Sequence, residues 1–189
     1  MKILILLLVI SNVYAKNKNI FFDAKIDLPI VGEGIYKDNF GSSETQYSTP
    51  KVFLGISLGY SVQFSDEWIF EPSVGYSFNS GNSSSLVGGG YIYDYADITL
   101  PIMYSKKGFK GGLFFKYIDI PSIEWGSQEN GDYIEFKDKN AYTLGIKIVT
   151  RSWFYSYEYL LNGKYLTGKG QAKIDIEGSR ISIGLRKTF

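Results

Sequence analysis

Hydrophobic and polar residues alternate along most of this chain, in segments of strand length. Ile20 to Ile30 puts Phe22, Ala24, Ile26, Leu28 and Ile30 on one face and Asp23, Lys25 and Asp27 on the other. Val52 to Phe64 is the clearest case: Val52, Leu54, Ile56, Leu58, Tyr60, Val62 and Phe64 oppose Phe53, Gly55, Ser57, Gly59, Ser61 and Gln63. The same period recurs at Trp68 to Phe78, Ala96 to Tyr104, Leu113 to Tyr117, Tyr142 to Ile148, Trp153 to Leu161 and Ile181 to Phe189. Successive side chains of a strand point to opposite faces, so a period of two predicts half-buried strands, eight of them here.

The connections alternate in length. Short turns are expected at 65–67, 105–110 and 150–152, and long polar or glycine-rich loops at 32–49, 79–90 and 162–170. The dipeptide Asn130-Gly131 is a strong two-residue hairpin signal. It predicts that the strands on either side of it run on past the others and fold over there. An even number of strands with every long connection at one end predicts an all-β fold, an eight-stranded antiparallel up-and-down barrel.

Two barrels fit this pattern, and each is the other turned inside out. A lipocalin-like secreted carrier hides its apolar face around a small hydrophobic ligand, whereas a transmembrane barrel turns that face to lipid and fills its interior with polar groups. The polar face carries Glu71, Asp97, Lys116, Lys147, Glu158, Arg180 and Arg186 among glycines and serines. Charges of both signs with small spacers suit an internal ion-pair network, because an eight-stranded interior is just wide enough for side chains to fill. On the apolar face, Phe64, Trp68, Phe70, Tyr104, Trp153, Tyr155 and Phe189 gather at the short-turn end and Tyr76, Phe78 and Tyr142 near the other. Two aromatic girdles about an aliphatic band are what membrane interfaces select. The transmembrane barrel is the reading the pattern favours, and the soluble carrier is the alternative.

The amino-terminal residues agree with export. Met1-Lys2, the apolar run Ile3 to Ile10, and the small residues Val13 and Ala15 before Lys16 have the anatomy of a cleaved signal peptide. Residues 1–15 are therefore expected to be removed and 16–189 to form the barrel domain. The run is too short to cross a bilayer as a helix. The sequence has no cysteine, so neither disulfides nor thiolate sites hold it together. Its formal net charge of +1 calls for no polyanion, and nothing in it reads as a nucleic-acid module.

The last strand carries Ile181, Ile183, Leu185 and Phe189 on one face and Arg180, Ser182, Gly184 and Arg186 on the other. It resembles the closing strand of bacterial outer-membrane β-barrels, where a final Phe behind alternating apolar residues is read by the barrel-assembly machinery. The departure is Lys187, where that family usually has Tyr or another apolar residue; a Lys at a membrane edge can snorkel its ammonium outward. Tyr95 to Tyr104, with Asp97 and Pro101 in an apolar frame, is similar to the fourth strand of small barrels of this kind. Over its mature length the chain resembles the OmpX type, with the barrel of OmpA-type proteins and the porin-like superfamily behind it. The resemblance implies an outer-membrane location among lipid and lipopolysaccharide. It also implies a link to surface adhesion or defence against host factors.

Chemistry is limited by one absence. The chain has no histidine, and the enzymes built on small outer-membrane barrels use one as base or activator. Without His or Cys, a serine triad, a thiol dyad and a histidine metal site are excluded, and no catalytic, metal or cofactor residue is expected. Glu124 with Glu129 and Asp132 with Glu135 read as solvated loop carboxylates, since no calcium-loop spacing accompanies them. A wide diffusion pore needs about 16 or more strands. What is left is a structural or surface-binding role carried by the loops. The candidate surface is the hairpin bearing Trp125, Tyr133, Ile134 and Phe136.

Overall fold

A strand with one apolar face and two open edges is stable when its sheet closes on itself, and that is the arrangement this chain adopts. The computed structural model describes residues 18–29, 33–37, 43–47, 52–79, 90–126, 133–166 and 172–189. The strands are β1 (Lys18–Pro29), β2 (Glu33–Lys37), β3 (Ser43–Tyr47), β4 (Phe53–Gln63), β5 (Trp68–Phe70), β6 (Ser73–Asn79) and β7 (Gly90–Tyr93). They continue as β8 (Tyr95–Lys106), β9 (Phe109–Gly126), β10 (Tyr133–Thr150), β11 (Trp153–Leu161), β12 (Lys164–Leu166), β13 (Ala172–Asp175) and β14 (Gly178–Thr188).

Eight of them form an antiparallel ring in the order β8-β6-β4-β1-β14-β11-β10-β9, closed by pairing of β9 with β8. The seam between the first and last strands runs from Phe21 opposite Thr188 to Pro29 opposite Arg180. The Phe189 amide continues it, donating to the Ile20 carbonyl at 2.9 Å. β5 and β6 are one wall strand interrupted at Glu71-Pro72, where the proline has no N–H to give the ladder. The turn between β8 and β9 is the two-residue Lys107-Gly108, with φ of 49° and 80°. Positive φ at both positions is the type I′ geometry that matches the twist of hairpin strands.

The long connections differ from the expected loops. Parts of 32–49 and 162–170 are strands: β2 and β3 pair with each other, and β2 pairs with β13, in a separate four-stranded sheet ordered β12-β13-β2-β3. The first and last long connections thus fold together above the ring. The second meets the third, with β7 pairing along the upper part of β9 from Gly90–Gly126 to Tyr93–Ile123. β9 and β10 do run on as a paired hairpin as far as Gly126 opposite Tyr133. A membrane-crossing strand needs about 9–11 residues, so these 18-residue strands project well past their neighbours. Residues 1–15 and Asn130-Gly131 lie outside the described residues.

Candidate functional site: the barrel interior and the head above it

The two faces of the wall differ completely. Leu113 is 69% exposed and Ile146 50%, while Glu71 and Glu158 are fully buried. Aromatic residues mark both ends of the outer face, with β11 as an exception: Trp153, Tyr155, Tyr157 and Tyr159 make an exposed stripe along its whole length. A carrier of hydrophobic ligands would show the opposite arrangement. Apolar outside and charged inside, closed so that no backbone edge meets lipid, defines a transmembrane β-barrel, and such barrels belong to the bacterial outer membrane.

Inside, the structure places all seven expected charges, Glu71, Asp97, Lys116, Lys147, Glu158, Arg180 and Arg186, in buried positions. They fall in two groups. Nearer the short turns, Arg186 binds Asp23 through two nitrogens, at 2.7 and 2.8 Å, and Glu71 through a third at 2.5 Å. Lys147 reaches Asp23 at 3.0 Å, Lys110 reaches Glu71 at 2.6 Å, and the Ser61 hydroxyl donates to Glu71 at 2.9 Å.

Higher up, Lys116 pairs with Glu158 at 2.5 Å, and Lys25 bridges Asp27 at 3.0 Å and Asp97 at 3.4 Å. Thr143 and Thr99 donate to Glu158 and Asp97, and Tyr95 donates to Asp27 at 2.6 Å. Arg180 donates to the Tyr93 hydroxyl and lies among the rings of Phe53, Tyr93 and Tyr95. The network therefore needs Asp23, Lys25, Asp27 and Lys110 as well, none of which belongs to the seven. Three of these share the inward face of Ile20–Ile30, where the alternation already marks them as polar.

A repeated packing unit carries the cations. Phe21, Phe114 and Phe154 each lie directly across from a glycine on the next strand, Gly59, Gly145 and Gly184. In each case a Cβ on the glycine would collide with the ring. The same rings hold Arg186 at 3.8 Å, Lys116 at 5.5 Å and Lys147 at 4.3 Å from their centroids. Glycine thus makes room for a ring, and the ring's negative face holds a cation away from water. Between the two groups is a cavity of about 30 Å³ touched by Asp23, Lys25, Asp97, Lys116 and Lys147. That is room for roughly one or two waters.

The mouth is roofed by an apolar cluster. Ile118, Ile120, Ile123 and Phe136 of the long hairpin pack with Tyr93 and with Tyr165, Ile174 and Ile176 from the last connection. The Tyr165 hydroxyl donates to the Asn140 carbonyl at 2.8 Å, tying β12 to β10. Burial raises the Tyr165 phenol above its ordinary pKa. At the edge of this head Lys164 pairs with Glu177 at 2.9 Å. The hydrogen bond between them lowers the Glu177 carboxyl and raises the Lys164 ammonium.

The candidate loop surface needs one correction. Phe136 is 2% exposed and belongs to the roof. Pro121 cannot donate to the ladder and Asp138 opposite it takes φ of 51°, so the hairpin changes face there. Below that point Ala141 and Thr143 face inward; above it, Phe136 and Ile123 do. Ile134 lies opposite Trp125, and Tyr133 opposite Gly126, near the tip; the side chains of Trp125, Tyr133 and Ile134 lie outside the described residues. In the assembly strand Ile181 and Leu185 face outward, Ile183 is half-exposed, and Phe189 is exposed at the rim. The Lys187 ammonium sits 5.3 Å from the Phe189 ring. Among the described residues no group of three or more acidic, His or Cys side chains could hold a metal.

No family model and no curated protein matches the chain. Among solved structures it is similar to Ail, the attachment invasion locus protein of Yersinia pestis, at 12% identity over 88% of this chain and 98% of that one, with a TM-score of 0.41. Neisserial surface protein A aligns at 15% identity over 92% and 100%, TM-score 0.46. The outer membrane protease OmpT of Escherichia coli aligns at 12% over 90% and 97%, TM-score 0.49. At these values the likenesses carry no argument about what this chain does. The barrel reading rests on its own two faces.

Proposed function

We propose that this outer-membrane barrel serves as a surface-binding protein, with the head above its mouth as the contact platform, and that it neither conducts solutes nor catalyses a reaction. The observation that carries this is the state of the lumen. Paired charges fill it, a cavity of about 30 Å³ is left between them, and the apolar cluster of Ile123, Phe136, Tyr165 and Ile174 closes the mouth. A partner meets the outside of the head, which a paired hairpin and a second sheet hold in shape.

The test compares cells displaying the full chain with cells displaying a variant lacking residues 126–133. Adhesion to glycoprotein-coated surfaces should fall for the variant while its barrel stays folded in the outer membrane. Equal adhesion by both would contradict the reading. Purified protein in a planar bilayer should show no stepwise conductance.

A further inference from the structure

The cavity of about 30 Å³ inside the barrel is walled by residues from every strand of the ring. On one side Lys147, Ser156 and Ser182 form a row, each paired with the next across β10, β11 and β14. Lys25 and Lys116 complete the cationic lining from β1 and β9. Lys116, Lys147 and Ser182 are all more than nine-tenths buried.

Hydrogen-bond donors are in surplus on this wall. An ammonium carries three N–H groups. Lys147 uses one on Asp23 and Lys116 one on Glu158, while Lys25 divides between Asp27 and Asp97. The Ser182 hydroxyl has no hydrogen-bond partner. Both carboxylates of the lining are already engaged: Asp23 accepts from Arg186 twice and from Lys147, and Asp97 accepts from Thr99 and Lys25. The other buried side-chain atoms without a partner belong to Asp27, Glu158 and Arg180, which stand outside the lining.

Charge points the same way. In the lower group Arg186, Lys147 and Lys110 share two carboxylates, Asp23 and Glu71. Lys110, half-buried toward the short turns, holds Glu71 at 2.6 Å. Arg186 forks onto Asp23, so Lys147 has only a share in one acid. A buried cation short of counter-charge is costly. A water molecule would bring two further donors and no charge, whereas a small anion only accepts and supplies the missing charge. A halide ion is little larger than water, so a cavity of this size holds one. Phosphate or an organic acid is too large for it.

We propose that the cavity is a site for one chloride ion, held by the Lys147 and Lys116 ammoniums and the Ser182 hydroxyl. The ion is a resident of the lumen that ties the upper and lower charge groups together. Paired side chains above and below it bar its passage, so the site makes no channel.

The experiment uses the full chain, folded in detergent and exchanged into sodium gluconate, whose anion cannot fit. Urea unfolding is followed by tryptophan fluorescence while chloride replaces gluconate at constant ionic strength. An ion bound only by the folded barrel lowers the unfolding equilibrium constant about tenfold for each tenfold rise in chloride above its Kd. Lys147→Met should abolish this dependence and Ser182→Ala should weaken it, whereas Ile146→Val on the outer wall should keep it. A heat-dependent gel shift confirms that each variant is folded. Crystals grown in bromide should show one anomalous peak between Lys147, Lys116 and Ser182. Equal stability in chloride and gluconate, a dependence that survives in both Lys147→Met and Ser182→Ala, or cavity density without an anomalous signal would overturn the site and leave water as its occupant.

Discussion

Arg186 and Asp23 face each other directly across the seam where the last strand meets the first, and a two-pronged ion pair joins them at 2.7 and 2.8 Å. They are 163 residues apart in the chain, so barrel closure and internal charge pairing are the same event at this point. Arg186 also reaches Glu71, tying a third strand region to the seam.

Removing the guanidinium leaves two carboxylates buried without their main partner. Arg186→Met should destabilise the barrel by about 3–5 kcal/mol, the cost of breaking a buried pair from one side. Arg186→Lys should cost less, since it keeps the charge and loses the fork. Urea unfolding in detergent, followed by tryptophan fluorescence, measures both; near-equal stability of wild type and Arg186→Met would refute the role.

Phe154 spends one face on Gly184 and the other on Lys147. Gly184→Val has nowhere to place its side chain, because a Cβ there meets the Phe154 ring, with Cζ at 2.5 Å. Overpacking of this kind costs about 1–3 kcal/mol. Ile146→Val on the lipid face, measured in the same unfolding assay, should be nearly neutral.

Phe136 belongs to the head. Phe136→Ala should open a cavity under the roof and loosen the head while the charged interior stays paired. Limited proteolysis checks this: new cleavage should appear within 112–142, with the gel mobility of the unboiled barrel unchanged. An unaltered protease pattern would mean that Phe136 does not hold the roof.

The Lys164–Glu177 pair adds a small pH response at the edge of the head. The Glu177 carboxyl is lowered, so its contribution is present above its ordinary pKa and is lost as pH falls through the lowered value. Lys164 is raised, so its contribution is present below its ordinary pKa and lost as pH rises through the raised one. Protease resistance of the head should therefore be level between about pH 5 and pH 10. Lys164 is exposed and Glu177 half-buried at the edge of the head, so Glu177→Gln should change it only slightly.

The barrel was legible because each wall strand has one face in lipid and one in a charged interior, which imposes period two on the sequence. Phe53 to Ser61 and Arg180 to Lys187 follow that rule, whereas Val62, counted with the outward residues, is buried beside Ser61. The head was not legible, because β2, β3, β12 and β13 are short and drawn from polar, glycine-containing connections, and their pairing joins segments far apart in the chain. Phe136 was not legible as a roof residue for a local reason: the alternation shifts between Lys137–Ser122 and Lys139–Ile120, where Asp138 takes a positive φ, so Phe136 faces in although Tyr142 and Leu144, an even number of residues on, face out. Asp23, Lys25 and Asp27 were visible as polar positions, yet their membership in the network depends on which strands become neighbours.

The barrel is closed, with its charges inside and its apolar face in lipid. The most direct test is gel mobility of the detergent-extracted membrane fraction, unheated against boiled. Membrane-fraction protein should migrate unheated as a compact species and shift on boiling. Protein released to the soluble fraction, with identical mobility before and after boiling, would contradict it.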